Sequence, residues 1–241
     1  MTWDIRILKN NVAKCYGNDQ KNRLTKSLES IFENQDIARF HYAELMKMIE
    51  GHSQGKNKPQ DYFRLVFCDD DEKLNVEYWF KVGCKAHIIA LLRTLHCTAD
   101  LLAHVLYYSL NLKERKSLSE NQISWCKVKN ILENDCKYRD LLTFANDLLE
   151  CENILYLDAL VNHTKHRHNI TPKLNYSLVK TGLETYNFIF DSFSYKGITY
   201  PSREAIPFLH EAYDHQGKNL IDFGNKINHL VIKQTKNFSA N

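Results

Sequence analysis

The stretch from about residue 74 to 112 constrains the fold of this chain more than any other. The acidic run Asp69-Asp70-Asp71-Glu72 precedes it, and acidic side chains favour the positive end of a helix dipole. A helix therefore starts near Glu72–Asn75 and runs to about Leu112, roughly 55 Å at 1.5 Å per residue. Ile88, Ile89, Leu91, Leu92, Leu95, Leu101, Leu102, Val105 and Leu106 fall on most sides of it. A helix so apolar needs partners on several sides, which predicts a helical bundle built around one long helix. Gly83 suits a close helix crossing or a bend.

The rest of the chain supplies those partners. Leu24, Leu28, Ile31 and Phe32, then Ile37, Phe40, Leu45, Met48 and Ile49, recur at helical spacing over 22–50, with Asn34-Gln35 marking a turn or kink. Gly51 to Gln60 reads as a loop and 113–121 as a polar connection. Shorter helices are predicted from Ile123 to Leu132, from Tyr138 to Leu149 and from Asn153 to about His168, and Pro172 stops the last pattern. The period then changes from helical to two. Leu174, Tyr176 and Leu178, then Tyr186, Phe188 and Phe190, alternate, and Gly197 stands among β-formers, which predicts a small antiparallel meander over 173–201. Ser202 reads as an N-cap for a final helix or helix pair over 203–234, before a fraying tail. The expectation is a mainly α, single domain over 1–241.

Composition limits function. The apolar fraction of 44% and charged fraction of 25% are globular, and a net charge of +3 is too small to imply a polyanion partner by itself. The N-terminus lacks the apolar run of a secretory signal, and the richest window, Ala86 to Leu112, carries Arg93, His96, Asp100 and His104. A cytoplasmic protein without a membrane span is expected. Seven cysteines form no CxxC pair, consistent with reduced thiols rather than a disulfide frame or zinc site.

Two ionisable clusters stand out. On the long helix, Arg93, His96, Asp100, His104 and Tyr107 fall within roughly 80° of arc. The structural reading is a solvated seam, or a buried Arg93–Asp100 pair with two satisfied histidines. The functional reading is a cleft wall for a small ligand or nucleotide, with Asp100 orienting a histidine and Arg93 holding an anion. His96, Asp100 and His104 are metal ligands in type, but one helix rarely supplies all three, so neither metal nor cofactor is expected.

The second cluster closes the helix near 153–168. Asp158, Asn162 and His166 are spaced four apart, and His163, Lys165, Arg167 and His168 stand beside them. Cations near a helix C-terminus are favoured by the dipole alone. The functional alternative is a phosphate site: Lys165, Arg167 and His163 would hold the anion, and His166 would titrate near neutrality.

A polar Asn-x-x-x-His near the end of a helix in a bundle resembles the HEPN superfamily, small helical domains of which many are metal-independent ribonucleases in toxins and phage defence. Asn162 and His166 match that family's Asn and His, and Val161 stands where its Arg would be. The similarity extends loosely to the long helix and the following meander, over about 75–200. It implies a homodimer that joins two NHTKHR segments at one cleft, with His166 as acid or base and Asn162 orienting it. Lys165 and Arg167 would balance phosphate charge. It also implies RNA as substrate or ligand, phage or stress defence, and an operon partner protein. The alternative is a non-catalytic interaction module of the same fold.

Overall fold

The computed structural model describes residues 2–54, 69–167, 170–176 and 186–239. It is mainly helical with a small antiparallel β region, as the periodicities predict. Of the predicted loop over 51–60, residues 51–53 are helical instead, and residues 55–60 lie outside the described residues, as do Cys68, His168 and Leu178. Among the described residues the helices are α1 (Ile5–Tyr16), α2 (Asn18–Ser53), α3 (Asp71–Ser109), α4 (Trp125–Glu133), α5 (Arg139–Leu149), α6 (Glu152–His166) and α7 (Ala205–Ser239). The strands are β1 (Lys173–Tyr176), β2 (Tyr186–Phe190), β3 (Phe193–Tyr195), β4 (Ile198–Tyr200) and β5 (Arg203–Glu204).

The long central helix is α3, with 39 residues. It begins at Asp71, slightly before the predicted start, because the Asp70 carboxylate accepts from the backbone amides of Glu72 (3.1 Å) and Lys73 (3.3 Å). It stops at Ser109 rather than Leu112. Asn111 takes a left-handed conformation (φ 48°) and turns the chain into a short 3-10 turn at Leu112–Glu114. Helix α3 is long and apolar enough to cross a membrane by length and composition, and 44% of its most apolar window is buried inside the protein.

The chain divides into two compact units. The first comprises 1–35, 96–155 and 214–241. Its core joins Leu8 and Val12 of α1, Leu24, Leu28 and Ile31 of α2, and Leu102 and Leu106 of α3 to Leu141 and Leu148 of α5 and Phe223, Ile227 and Val231 of α7. Helix α1 is an addition to the sequence-based expectation. Asp4 caps it by accepting from Ile7 N at 2.9 Å, and Gly17 (φ 87°) separates it from α2. The Tyr107 hydroxyl pins the connection after α3, donating to Lys116 O (3.0 Å) and accepting from Leu118 N (2.9 Å). The buried Thr98 links three helices. It accepts from Asn34 Nδ2 of α2 (3.3 Å) and donates to Gln216 Oε1 of α7 (3.1 Å). Among these described residues α2 runs unbroken through the predicted turn at Asn34-Gln35.

The second unit comprises 36–95 and 156–213. Leu45 and Ile49 of α2, Cys84, Ile88 and Leu91 of α3, and Leu157 and Leu160 of α6 are buried in it. The Met48 side chain lies against Gly83, where a Cβ would overlap its terminal methyl, so Gly83 does mark a close approach of α2 and α3. Among the described residues the antiparallel pairing of the predicted β region falls into two sheets. The first has order β1-β2-β5, with Leu174 opposite Phe188 and Ile189 opposite Glu204. The second is the hairpin β3-β4, closed by Lys196 (φ 50°) and Gly197 (φ 81°). Ser202 does not cap the final helix, because Arg203 and Glu204 first pair with β2 and the helix begins at Ala205. Pro207 fits in its first turn, where the missing N–H costs nothing. An aromatic cluster fills this unit. Tyr156 meets Phe193, Tyr200 and Phe208 edge-on at 5.0–5.7 Å, and the Arg203 guanidinium covers the Tyr156 ring at 4.5 Å.

Candidate functional site

The C-terminal end of α6 carries the densest exposed charge among the sequence-predicted sites. Lys165, His166 and Arg167 are exposed, and Asn162 is half-buried one turn before His166. Asn162 Nδ2 donates to Asp158 Oδ1 at 2.9 Å, so the side-chain amide is already held by the carboxylate one turn back. Arg167 Nη1 reaches the Ser194 carbonyl of β3 at 3.4 Å, a long contact that leaves most of the guanidinium donors unspent. His163 is separated from these groups. It is 3% exposed, and its ring lies edge-on to Phe193 at 5.6 Å. The spacing carried that signal: His163 stands seven residues after Tyr156 and three after Leu160, on the buried face of the helix. Asp158, Asn162, Lys165 and His166 occupy the opposite face.

Val161, the residue in the position of the family arginine, is buried at 4% exposure. Beside it lies a shallow depression of the second unit, lined by Val161, Thr164 and Leu160 of α6, Ile89, Leu92 and Arg93 of α3, and Ile170. Its free volume of about 10 Å³ admits no more than one water, so it is a surface feature and not a substrate pocket. The exposed Arg93 of the neighbouring helix thus lines the same depression as Val161 and Thr164. Sequence reasoning assigned Arg93 to the stripe on α3. Only packing of α3 against α6 relates it to the second cluster.

The stripe on α3 is divided. Arg93 belongs to the second unit, and His96, Asp100 and His104 belong to the first. Asp100 is exposed and accepts from Trp125 N at 3.0 Å. It is therefore a cap for α4, whose own N-cap residue Ser124 makes no side-chain capping bond. His96 and His104 are half-buried. Burial holds the His104 imidazole below its ordinary value of 6.5, against the smaller opposing pull of Glu120 and Asp100. His104 and Tyr108 of α3 line a cleft with Arg23, Lys26, Ser27 and Ser30 that no sequence pattern disclosed, because those four residues come from α2. Among the described residues no group of three or more His, Cys, Asp or Glu side chains is gathered as metal ligands.

Compared with protein-family models, with curated proteins and with solved structures, the chain matches none.

Proposed function

We propose that this chain is a HEPN-like cytoplasmic protein that binds RNA and cleaves it without a metal, acting in stress or phage defence as a homodimer. The observation that carries this reading is Arg93. It lines the same shallow depression as Val161, which stands where the family motif has its arginine, on the helix that carries Asn162 and His166. A guanidinium there can stabilise charge on a scissile phosphate whichever helix supplies it. Lys165 and Arg167 add exposed positive charge for the flanking phosphates. His163, being buried, has no part in phosphate binding in this scheme.

The mechanism follows from exposure and reach. One His166 takes the proton of a ribose 2′-hydroxyl while that oxygen attacks phosphorus. The bond from phosphorus to the 5′-oxygen breaks, and the second protomer's copy of the same histidine protonates that leaving oxygen. The products are a 2′,3′-cyclic phosphate and a 5′-hydroxyl. Asn162, itself held by Asp158, orients the imidazole. Helix α3 serves as a core helix of a soluble protein in this reading.

The test is incubation of purified protein with total RNA in the presence of a chelator, with His166→Ala and Arg93→Ala alongside. Each substitution is expected to slow cleavage by about 10²-fold or more. Equal cleavage by His166→Ala would remove that residue from the mechanism, and no cleavage by the unaltered protein would favour a second reading. That second reading is a non-catalytic interaction module. It draws on the first turns of α3, where Val76, Tyr78 and Trp79 are 58–61% exposed beside Leu74 and Val82. Exposed aromatic groups of this kind are typical of protein-binding surfaces.

A further inference from the structure

The first unit holds a cleft of about 400 Å³ between α2 and the C-terminal part of α3. That volume lies within the range of small-ligand sites. Helix α2 lines it with Arg23, Lys26, Ser27 and Ser30, helix α3 with His104 and Tyr108, and the connection beyond α3 with Glu120. Arg23 and Lys26 lie one turn apart and are exposed, and among the described residues neither forms an ion pair. Two cations without carboxylate partners on one wall of a cleft favour an anion, and the pairing of a forked guanidinium with an ammonium suits phosphate.

The other groups select what the anion is attached to. The Ser27 and Ser30 hydroxyls donate to the carbonyls of Arg23 (3.2 Å) and Lys26 (3.0 Å), so their oxygens remain as acceptors. Glu120 is exposed and adds a carboxylate acceptor. A half-buried neutral imidazole offers one donor and one acceptor. A bare inorganic anion gains from the two cations and is opposed by Glu120. A ligand with an anionic end and a hydroxyl-bearing body uses both sets of groups.

We propose that this cleft binds a small phosphate ester of the nucleotide or sugar-phosphate class. The phosphate lies on Arg23 and Lys26, and the hydroxyl-bearing part meets His104, Glu120 and the serine oxygens. The site shares no residue with the α6 surface, so it stands or falls apart from the ribonuclease reading.

The test uses the full chain with adenosine 5′-monophosphate, ribose 5-phosphate, adenosine and inorganic phosphate as separate probes. Calorimetry measures affinity, and the His104 ring signal in a carbon–proton NMR spectrum reports location. At least one ester is expected to bind with a submillimolar Kd, about tenfold or more tighter than either adenosine or phosphate, and to shift the His104 signal. Arg23→Gln and Lys26→Gln should each weaken it by about tenfold with the circular dichroism spectrum unchanged, because both side chains are exposed. His166→Ala should bind as the unaltered protein does. A clear preference for the adenosine ester identifies a nucleotide site, and equal affinities identify a sugar-phosphate site. The proposal is overturned if neither ester binds below millimolar concentration, if inorganic phosphate matches the esters, or if binding survives both glutamine substitutions or is lost in His166→Ala.

Discussion

Gly224→Ala should destabilise the protein by about 2–3 kcal/mol, although alanine is the better helix former by about 1 kcal/mol. The reason is Trp3. Its indole is 8% exposed and lies directly over Gly224 of α7, where a Cβ would overlap Cδ2 and Cε2 of the ring. The ring also donates through Nε1 to Asn228 Oδ1 at 3.3 Å, and Asn228 Nδ2 donates to the Asp4 carbonyl at 2.8 Å. An added methyl has two outcomes. If the indole shifts but stays inside, overpacking costs about 1–3 kcal/mol and the strained hydrogen bond about 1 more. If the indole is expelled, the loss approaches the ~3–5 kcal/mol of a buried aromatic deletion. Subtracting the helix-propensity gain leaves a net loss on either path. Urea denaturation followed by far-ultraviolet circular dichroism measures it. The decisive control is a double-mutant cycle. In a Trp3→Ala background the same glycine substitution should be neutral, or stabilising by up to about 1 kcal/mol. The reasoning fails if Gly224→Ala stabilises the unaltered protein, or if its cost is the same in both backgrounds.

Asp100→Ala should cost about 1 kcal/mol, since it removes the cap on the α4 N-terminus, and Asp100→Asn should retain most of that. A loss of several kcal/mol in thermal or urea unfolding would instead indicate a buried charge partner for Asp100. His41 and His87 face each other through their Nδ1 atoms at 3.0 Å. Burial, and then His87, holds His41 below its ordinary value of 6.5. The unfolded chain therefore takes up a proton near pH 6.5 that the folded chain takes up only at lower pH. Stability from this group is full above 6.5 and declines as pH falls from there toward the lower folded value. His87→Asn removes one of the two causes and should shrink the drop in Tm between pH 7 and pH 5; an unchanged drop would refute the pairing.

Local pattern was enough for the elements. Apolar positions at helical spacing on 24–49, the acidic lead into α3, and the change to a period of two after Pro172 each depend on neighbours within a few residues, so α2, α3 and the β region were legible. Two signals of the same local kind went unread in the expectation: Asp4 before Ile5, Leu8 and Val12 at helical spacing for α1, and the inward face of His163, which was assigned to phosphate. What depends on contacts between distant segments was not legible. Asp100 caps a helix 25 positions away. Trp3 sits over Gly224, and Arg203-Glu204 leave the final helix to extend a sheet. The two sites behave the same way. The exposed residues of α6 can be ranked from its own periodicity, but nothing near Val161 predicts that Arg93 flanks it. Nor does anything near His104 predict Arg23 and Lys26. Hydrophobic burial fixes which face of each helix turns inward, and that is written in each segment. Which two faces meet is decided by the joint packing of all the segments, and so by the tertiary structure alone.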